Sequence, residues 1–189
     1  MTSNRLVEFQ ALAQSGDYLI LDTETTGLHN SEIVQIAIIR SDGSLILDTL
    51  IKPLRKIERS AFAIHGINAA SVKDAPLWSE LCPIVADILL GKNVVVYNVA
   101  FDLAMLVNST FAMGMEPVAW RKRSNWYCAM LAYSEIHGDW QNGMKAYRWQ
   151  KLETAVHHFS GDYADQHTAL GDCRNTLFLT KKIAGIDLS

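Results

Sequence analysis

Asp22 and Glu24 flank a single threonine directly after the apolar run Tyr18-Leu19-Ile20-Leu21. Strand side chains alternate, so both carboxylates project to one face. Held side by side they repel, and a divalent cation between them relieves the repulsion. An acidic strand end in solvent, with Thr25-Thr26-Gly27 as a turn, fits the tripeptide equally well. Asp102 follows a second buried run, Val94-Val95-Val96-Tyr97, across the connection Asn98-Val99-Ala100-Phe101. It falls at a helix start, where the helix dipole favours an acid whatever its role. His167 and Asp172 come last. Inside one helix they would lie about 140° apart, at roughly 100° per residue. If the helix begins at Thr168, His167 lies on the loop before it and is free to turn toward Asp172. Taken alone, the pair also reads as ordinary surface polarity. As an ordered set, four carboxylates without clustered Cys or several His point to hard cations, Mg²⁺ or Mn²⁺, over zinc.

The elements that must position these groups can be read from periodicity. Residues 4–15 form an amphipathic helix with Leu6, Phe9, Leu12 and Ala13 on one face and Gly16 as its stop. Residues 18–21, 33–40 and 44–51 read as strands, the last two joined by the hairpin signal Asp42-Gly43. Residues 79–90 form a helix ending at Gly91, and 94–97 a buried strand. Helical periods follow at 101–113, 128–136, 151–159 and 168–183, the last with Leu170, Cys173 and Leu177 along one stripe. Strands first, then strands mixed with helices, give an α/β fold: an antiparallel three-stranded start, then parallel strands, flanked by helices.

Composition narrows the class. The 189 residues are 49% hydrophobic, which excludes a disordered chain, and no linker divides them. A single domain spanning 1–189 is expected, with a helix over 1–16 appended to a core over 17–184. Cys82, Cys128 and Cys173 are far apart and odd in number, as reduced thiols are. The longest charge-free run, residues 103–115, is shorter than the roughly 20 residues a membrane span needs. The start has Glu8 and no apolar h-region, unlike a signal peptide, so a cytoplasmic protein without membrane association is expected. The net charge of −3 argues against a bulk nucleic-acid coat but leaves room for an acidic site neutralised by metal.

Four segments together resemble the DnaQ-like, DEDDh family of 3′–5′ exonucleases. LDTETTGL (21–28) is similar to the family's first motif, YNVAFDLAML (97–106) to its second, and HTALGDC (167–173) to its third, in the histidine form. SAFAIHGI (60–67) is similar to the segment that binds the terminal nucleotide. The resemblance runs from about 18 to 183, and in size and layout is nearest to exonuclease X-type and proofreading epsilon-type members. Tyr97 stands where members often carry His before the second-motif Asn, and Gln35 where they often carry Glu.

The resemblance implies a ribonuclease H-like sheet and hydrolysis of terminal phosphodiesters of single-stranded DNA with two divalent cations, releasing nucleoside 5′-monophosphates. Asp22 would bridge both ions. Glu24 and Asp172 would hold the nucleophile-side ion, Asp102 the second one, directly or through water, and His167 would act as the base. Thr25 and Leu28 would cradle and wedge the terminal bases, while Ala61, His65 and Phe101 would line the terminal sugar and base. Exoribonuclease, polymerase-associated proofreading subunit and inactive nucleic-acid-binding module are the alternatives. The partners implied are single-stranded DNA or RNA 3′ ends, with a polymerase or a second copy of the chain besides.

Basic residues gather at Lys52, Arg55, Lys56 and Arg59, at Arg121-Lys122-Arg123, and at Lys145, Arg148 and Lys151. Each group reads equally as a phosphate track or as surface charge. The least family-like stretch, 115–150, holds Trp120, Trp126 and Trp140, with Trp149 near its end. These rings fit core, a nucleic-acid platform or an oligomer face.

Overall fold

A computed structural model describes residues 3–163, 165 and 167–186. The ends of the expected 1–189 domain, residues 1, 2 and 187–189, lie outside the described residues. The centre is a five-stranded sheet in the order β3-β2-β1-β4-β5. β1 (Leu19–Thr25), β2 (Ile33–Arg40) and β3 (Leu45–Leu50) pair antiparallel, and β4 (Asn93–Val96) and β5 (Asn125–Cys128) add in parallel. This is the mixed sheet read from the sequence.

β2 is almost continuously apolar because both its faces are covered. Ala37 and Ile39 feed one core layer with Ile20, while Ile36 and Ile38 feed the other with Leu21. The first layer is closed by α1 (Asn4–Ser15), α6 (Ala129–His137), α7 (Leu152–His158) and α8 (Ala169–Ile183). The second is closed by α3 (Trp78–Leu89) and α4 (Val99–Ala112). α3 presents Trp78, Leu81, Cys82, Val85 and Leu89 to the sheet, the spacing of one helical face. α1 packs Leu6, Phe9 and Leu12 into the α8 layer, and Gln10 and Gln14 donate to the Ile183 and Ala184 carbonyls. Cys82 and Cys173 are buried and Cys128 half-buried, all three as free thiols.

Several elements differ from expectation. α4 starts at Val99, two residues before the expected 101, while Asp102 lies in its first turn, at the helix start as expected. α2 (Arg59–His65), the four-residue α5 (Trp120–Arg123), β5 and a small hairpin of β6 (Trp140–Gln141) with β7 (Ala146–Tyr147) are additional. All are shorter than a period can reveal. No helix among the described residues is long and apolar enough to cross a membrane.

Candidate active site

The parallel ladder between β1 and β4 is confined to Leu19–Ile20 and Val94–Val95. Beyond it β1 runs on alone on that side, still paired with β2, whose register shifts at Glu24/Thr25. The gap is filled by the first turn of α4. Asp22 and Glu24 face the α8 layer, on the side of Ile20, and there they meet Asp172 from the first turn of α8. Ligand oxygens of Asp22, Glu24 and Asp172 all lie within 4.8 Å of one another. Asp102 enters from the other layer, is 4% exposed, and accepts a 2.7 Å hydrogen bond from the Thr23 hydroxyl. It is outside the tight trio but within its electrostatic reach.

The charges are strongly frustrated. Burial first, then Asp102, Asp172 and Glu24, hold the Asp22 carboxyl well above its ordinary range. Burial, with Asp172 and Asp102, pushes Glu24 up to about 8. Burial likewise raises Asp102 to about 7, against the lowering effect of the Thr23 hydroxyl. Asp172 is raised by burial, while hydrogen bonds from Asn175, Tyr163 and the His167 backbone pull the other way. An all-oxygen trio at this separation is the donor set of a hard divalent cation, whose charge would relieve the repulsion.

A cavity of about 150 Å³ opens beside Glu24. Thr25, Leu28, Ala61, His65 and Phe101, the five residues expected at the terminal nucleotide, all line it, with Ile64 and Ser60. Ala61, Ile64 and His65 come from α2, which ends in left-handed Gly66. Both ring nitrogens of His65 are engaged. Nδ1 accepts from the Ile67 amide at 3.0 Å, so Nε2 carries the proton and donates to the Thr25 carbonyl at 3.0 Å. Burial, with His167 nearby, lowers its pKa against the pull of the Thr25 carbonyl. His65 is thus a neutral strut between α2 and the end of β1 as well as a wall of the cavity. Thr25 is buried with its hydroxyl donating to the Gly27 carbonyl at 2.6 Å, whereas Leu28 is 69% exposed at the rim.

His167 is where the loop reading placed it. Thr168 caps α8, its hydroxyl accepting from the Gly171 amide, and His167 precedes it with φ of 59° and an exposed side chain. Its backbone N–H donates to the Asp172 carboxylate. The loop lies against the first turn of α8 because residue 171 is glycine: a Cβ there would collide with the Asp165 carbonyl.

Sequence reasoning missed the supports. Tyr163 and Asn175 donate to the same oxygen of Asp172, Oδ1, at 3.1 and 3.4 Å. Asn175 sits three residues after Asp172, a helical spacing that could have flagged it; Tyr163 comes from a loop and left no such signal. Gln35, the departure from the family's Glu, accepts from the Ala169 amide at the start of α8 and donates to Asp48. Tyr97, the other departure, donates to the Gln150 carbonyl at 2.7 Å. Arg55 is drawn to buried Glu32 at 3.4 Å. Trp78 and Trp120 are core, Trp126 is half-buried, and Trp140 and Trp149 are exposed.

The chain has relatives among known proteins. The model of the exonuclease (RNase_T) family matches residues 19–180. "Uncharacterized exonuclease CP81" of Escherichia phage 186 is 36% identical over 174 residues, covering 89% of this chain and 88% of that one. The DNA polymerase III epsilon subunit of Escherichia coli K12 is 27% identical over 99 residues, 47% of this chain and 41% of its own. Among solved structures, exonuclease X in complex with 5′ overhanging duplex DNA superposes with a TM-score of 0.61 at 21% identity, covering 90% of this chain and 94% of that one. Escherichia coli exonuclease I with a dT13 oligonucleotide gives 0.72 at 19% identity, over 89% of this chain and 41% of that one. The match spans both core layers and every segment that carries the carboxylates, so the chain belongs to the RNase_T exonuclease family, within the DnaQ-like 3′–5′ exonucleases of the ribonuclease H-like superfamily.

Proposed function

We propose that the chain removes nucleoside 5′-monophosphates from the 3′ end of single-stranded DNA with the help of two divalent cations, Mg²⁺ or Mn²⁺. The observation that carries this reading is the cavity beside Glu24, lined by all five residues expected at a terminal nucleotide and contiguous with the carboxylate trio. Asp22, Glu24 and Asp172 would hold one cation. Asp22 would bridge to a second held with Asp102, directly or through water. Bound there, the cations supply charge neutralisation at the attacking and leaving oxygens. His167, exposed on its loop, takes the proton from the attacking water, as the general base of the step. The bond to the 3′ oxygen of the preceding nucleotide breaks, and the phosphate leaves on the terminal nucleoside. Phe101 and His65 offer the terminal base and sugar a flat wall, and Leu28 a wedge against the next base.

DNA is favoured over RNA because relatives on this fold carry DNA polymerase names. The same relatives favour, as second reading, a subunit that works beside a polymerase; a polymerase pull-down tests it. The primary experiment is degradation of 3′- and 5′-labelled single-stranded DNA and RNA with Mg²⁺, Mn²⁺ or EDTA, beside Asp22→Ala. Shortening from the 3′ end that needs metal and Asp22, faster on DNA, is expected. Faster loss of RNA would make the chain an exoribonuclease. Binding without cleavage of either polymer would leave an inactive binding module.

A further inference from the structure

The β6–β7 hairpin contributes no residue to the carboxylate trio or to the cavity beside Glu24. Residues 140–151 hold Trp140, Tyr147 and Trp149 interleaved with Lys145, Arg148 and Lys151, and no acid. Asp139, just before the hairpin, pairs with Arg148 at 3.8 Å, which leaves an excess of two cations in a chain of net charge −3. The rings are displayed, not packed away: Trp140 is 49% and Trp149 62% exposed, against 1% for Trp78 and Trp120. The display is built. Trp140 pairs with Tyr147 across the hairpin, the rings edge to face at 5.0 Å. Trp140 Nε1 donates to Asn142 Oδ1 at 3.1 Å, and the Arg148 amide extends the ladder to the Asp139 carbonyl at 2.8 Å.

Its position is fixed from the active-site edge. The hydroxyl of Tyr97, the residue after β4, donates to the carbonyl of Gln150, next to Trp149. Tyr97 packs against the core layer that also holds Tyr163, and Tyr163 donates to Asp172. The hairpin is therefore tied to the core layer that Tyr163 and the Asp172 helix belong to, while the nucleotide cavity opens beside Glu24. A strand that ran from the cavity across the carboxylates to the Asp172 side would approach the layer that carries the hairpin.

We infer that the β6–β7 hairpin and Trp149 form a stacking platform for the single-stranded DNA that trails behind the 3′-terminal nucleotide. Exposed rings offer each base a π-face, and Lys145 and Lys151 meet the phosphates, a combination tolerant of sequence. The platform rests on the proposed function, of which it names a second substrate contact.

The test compares two substrates in the full chain: a long oligothymidylate, and the p-nitrophenyl ester of thymidine 5′-monophosphate, which fills only the terminal cavity. The double variant Trp140→Ala, Trp149→Ala should raise KM for the oligothymidylate at least tenfold, since each lost base–ring stack is worth about fivefold or more, and leave kcat and the ester unchanged. Trp149→Phe should restore most of the affinity lost in Trp149→Ala, because a ring suffices. Anisotropy of labelled oligothymidylate on protein in EDTA reads the platform separately. Should the wild-type chain cleave neither substrate, the hydrolytic reading fails, and weaker anisotropy binding by the double variant still upholds the platform. Equal oligothymidylate binding by variant and wild type overturns it. So does a wild-type dimer that the double variant turns into monomers in sedimentation, because the rings are then a subunit interface.

Discussion

Glu24→Gln should stabilise the metal-free protein, and the gain should grow with pH. Burial, with Asp172 and Asp102, pushes the Glu24 carboxyl from 4.5 up to about 8. Above pH 4.5 the unfolded chain releases this proton while the folded chain keeps it. Stability contributed by Glu24 is therefore greatest in acid, falls as pH rises toward 8, and levels off beyond. Each tenfold step in proton affinity is worth about 1.4 kcal/mol. The two and a half decades between the ordinary value and pH 7 thus set a ceiling of about 3 kcal/mol on the cost. Part of it is repulsion shared with Asp22, Asp102 and Asp172, which persists among those three, so removing one charge should recover about 2 kcal/mol. For a chain of this length that is a rise in Tm of about 4–8 °C. Calorimetry in EDTA at pH 5, 7 and 8 measures it: a small difference between variant and wild type at pH 5, the largest at pH 8. Saturating Mn²⁺ should reverse the order, because only the wild type keeps the full ligand set and gains the binding free energy. A variant no more stable than wild type in EDTA at pH 8, or a gain independent of pH, would refute the account of Glu24 as a charge held against its neighbours for a cation.

Three further substitutions test the surroundings. His167→Ala should lose at least a hundredfold in turnover, the scale of general-base catalysis, while Mn²⁺ still titrates the carboxylates by calorimetry; near-wild-type cleavage removes His167 from the role. Tyr163→Phe deletes a donor to Asp172 Oδ1. Hydrogen bonds to charged groups are worth about 1.5–3 kcal/mol, so kcat should fall roughly tenfold or more and Mn²⁺ affinity weaken, with KM for DNA unchanged. An unaltered Mn²⁺ midpoint would show that Tyr163 does not orient the ligand. Gly171→Ala elsewhere in a helix would gain about 0.5–1 kcal/mol. Here the new Cβ meets the Asp165 carbonyl and Thr168 Oγ1. Thermal melting should show a loss of about 1–3 kcal/mol, and turnover should fall as the His167 loop is displaced; a gain in Tm would mean that the loop gives way freely.

The sheet and the long helices were legible because their signals are periodic. β2 alternates two buried faces over eight residues, and α8 carries its apolar stripe over fifteen. Even the choice between a mid-helix and a loop position for His167 was posed correctly by geometry, and the Thr168 cap decides it. What escaped notice is short or non-local. α2 spans seven residues, β5 four, and β6 and β7 two each, too few for a period. α4 began early because Val99 and Ala100 read as connection when only their apolar character is counted. The bond from Tyr163 to Asp172 and the tie from Tyr97 to Gln150 join residues nine and fifty-three positions apart, and such bonds follow from packing, not from pattern.

Why the carboxylates converge at all follows from the three residues Asp22-Thr23-Glu24. Alternation sends the outer two to the α8 layer and the middle one to the α4 layer. The outer pair meets Asp172, and the middle hydroxyl reaches Asp102 at 2.7 Å. One strand end thereby recruits acids from helices on opposite faces of the sheet. The gap that admits α4 exists because β4 stops pairing with β1 after Val95 and Ile20, leaving the next five residues of β1 without a strand partner on that side. Pairing that continued to Thr23 would seal the sheet and hold Asp102 away from Asp22. The short β4 is therefore as much a part of the site as the acids are. A one-residue slip of β1 against β2 would exchange Thr23 for the two acids on the α8 face and leave Asp172 with no carboxylate to meet.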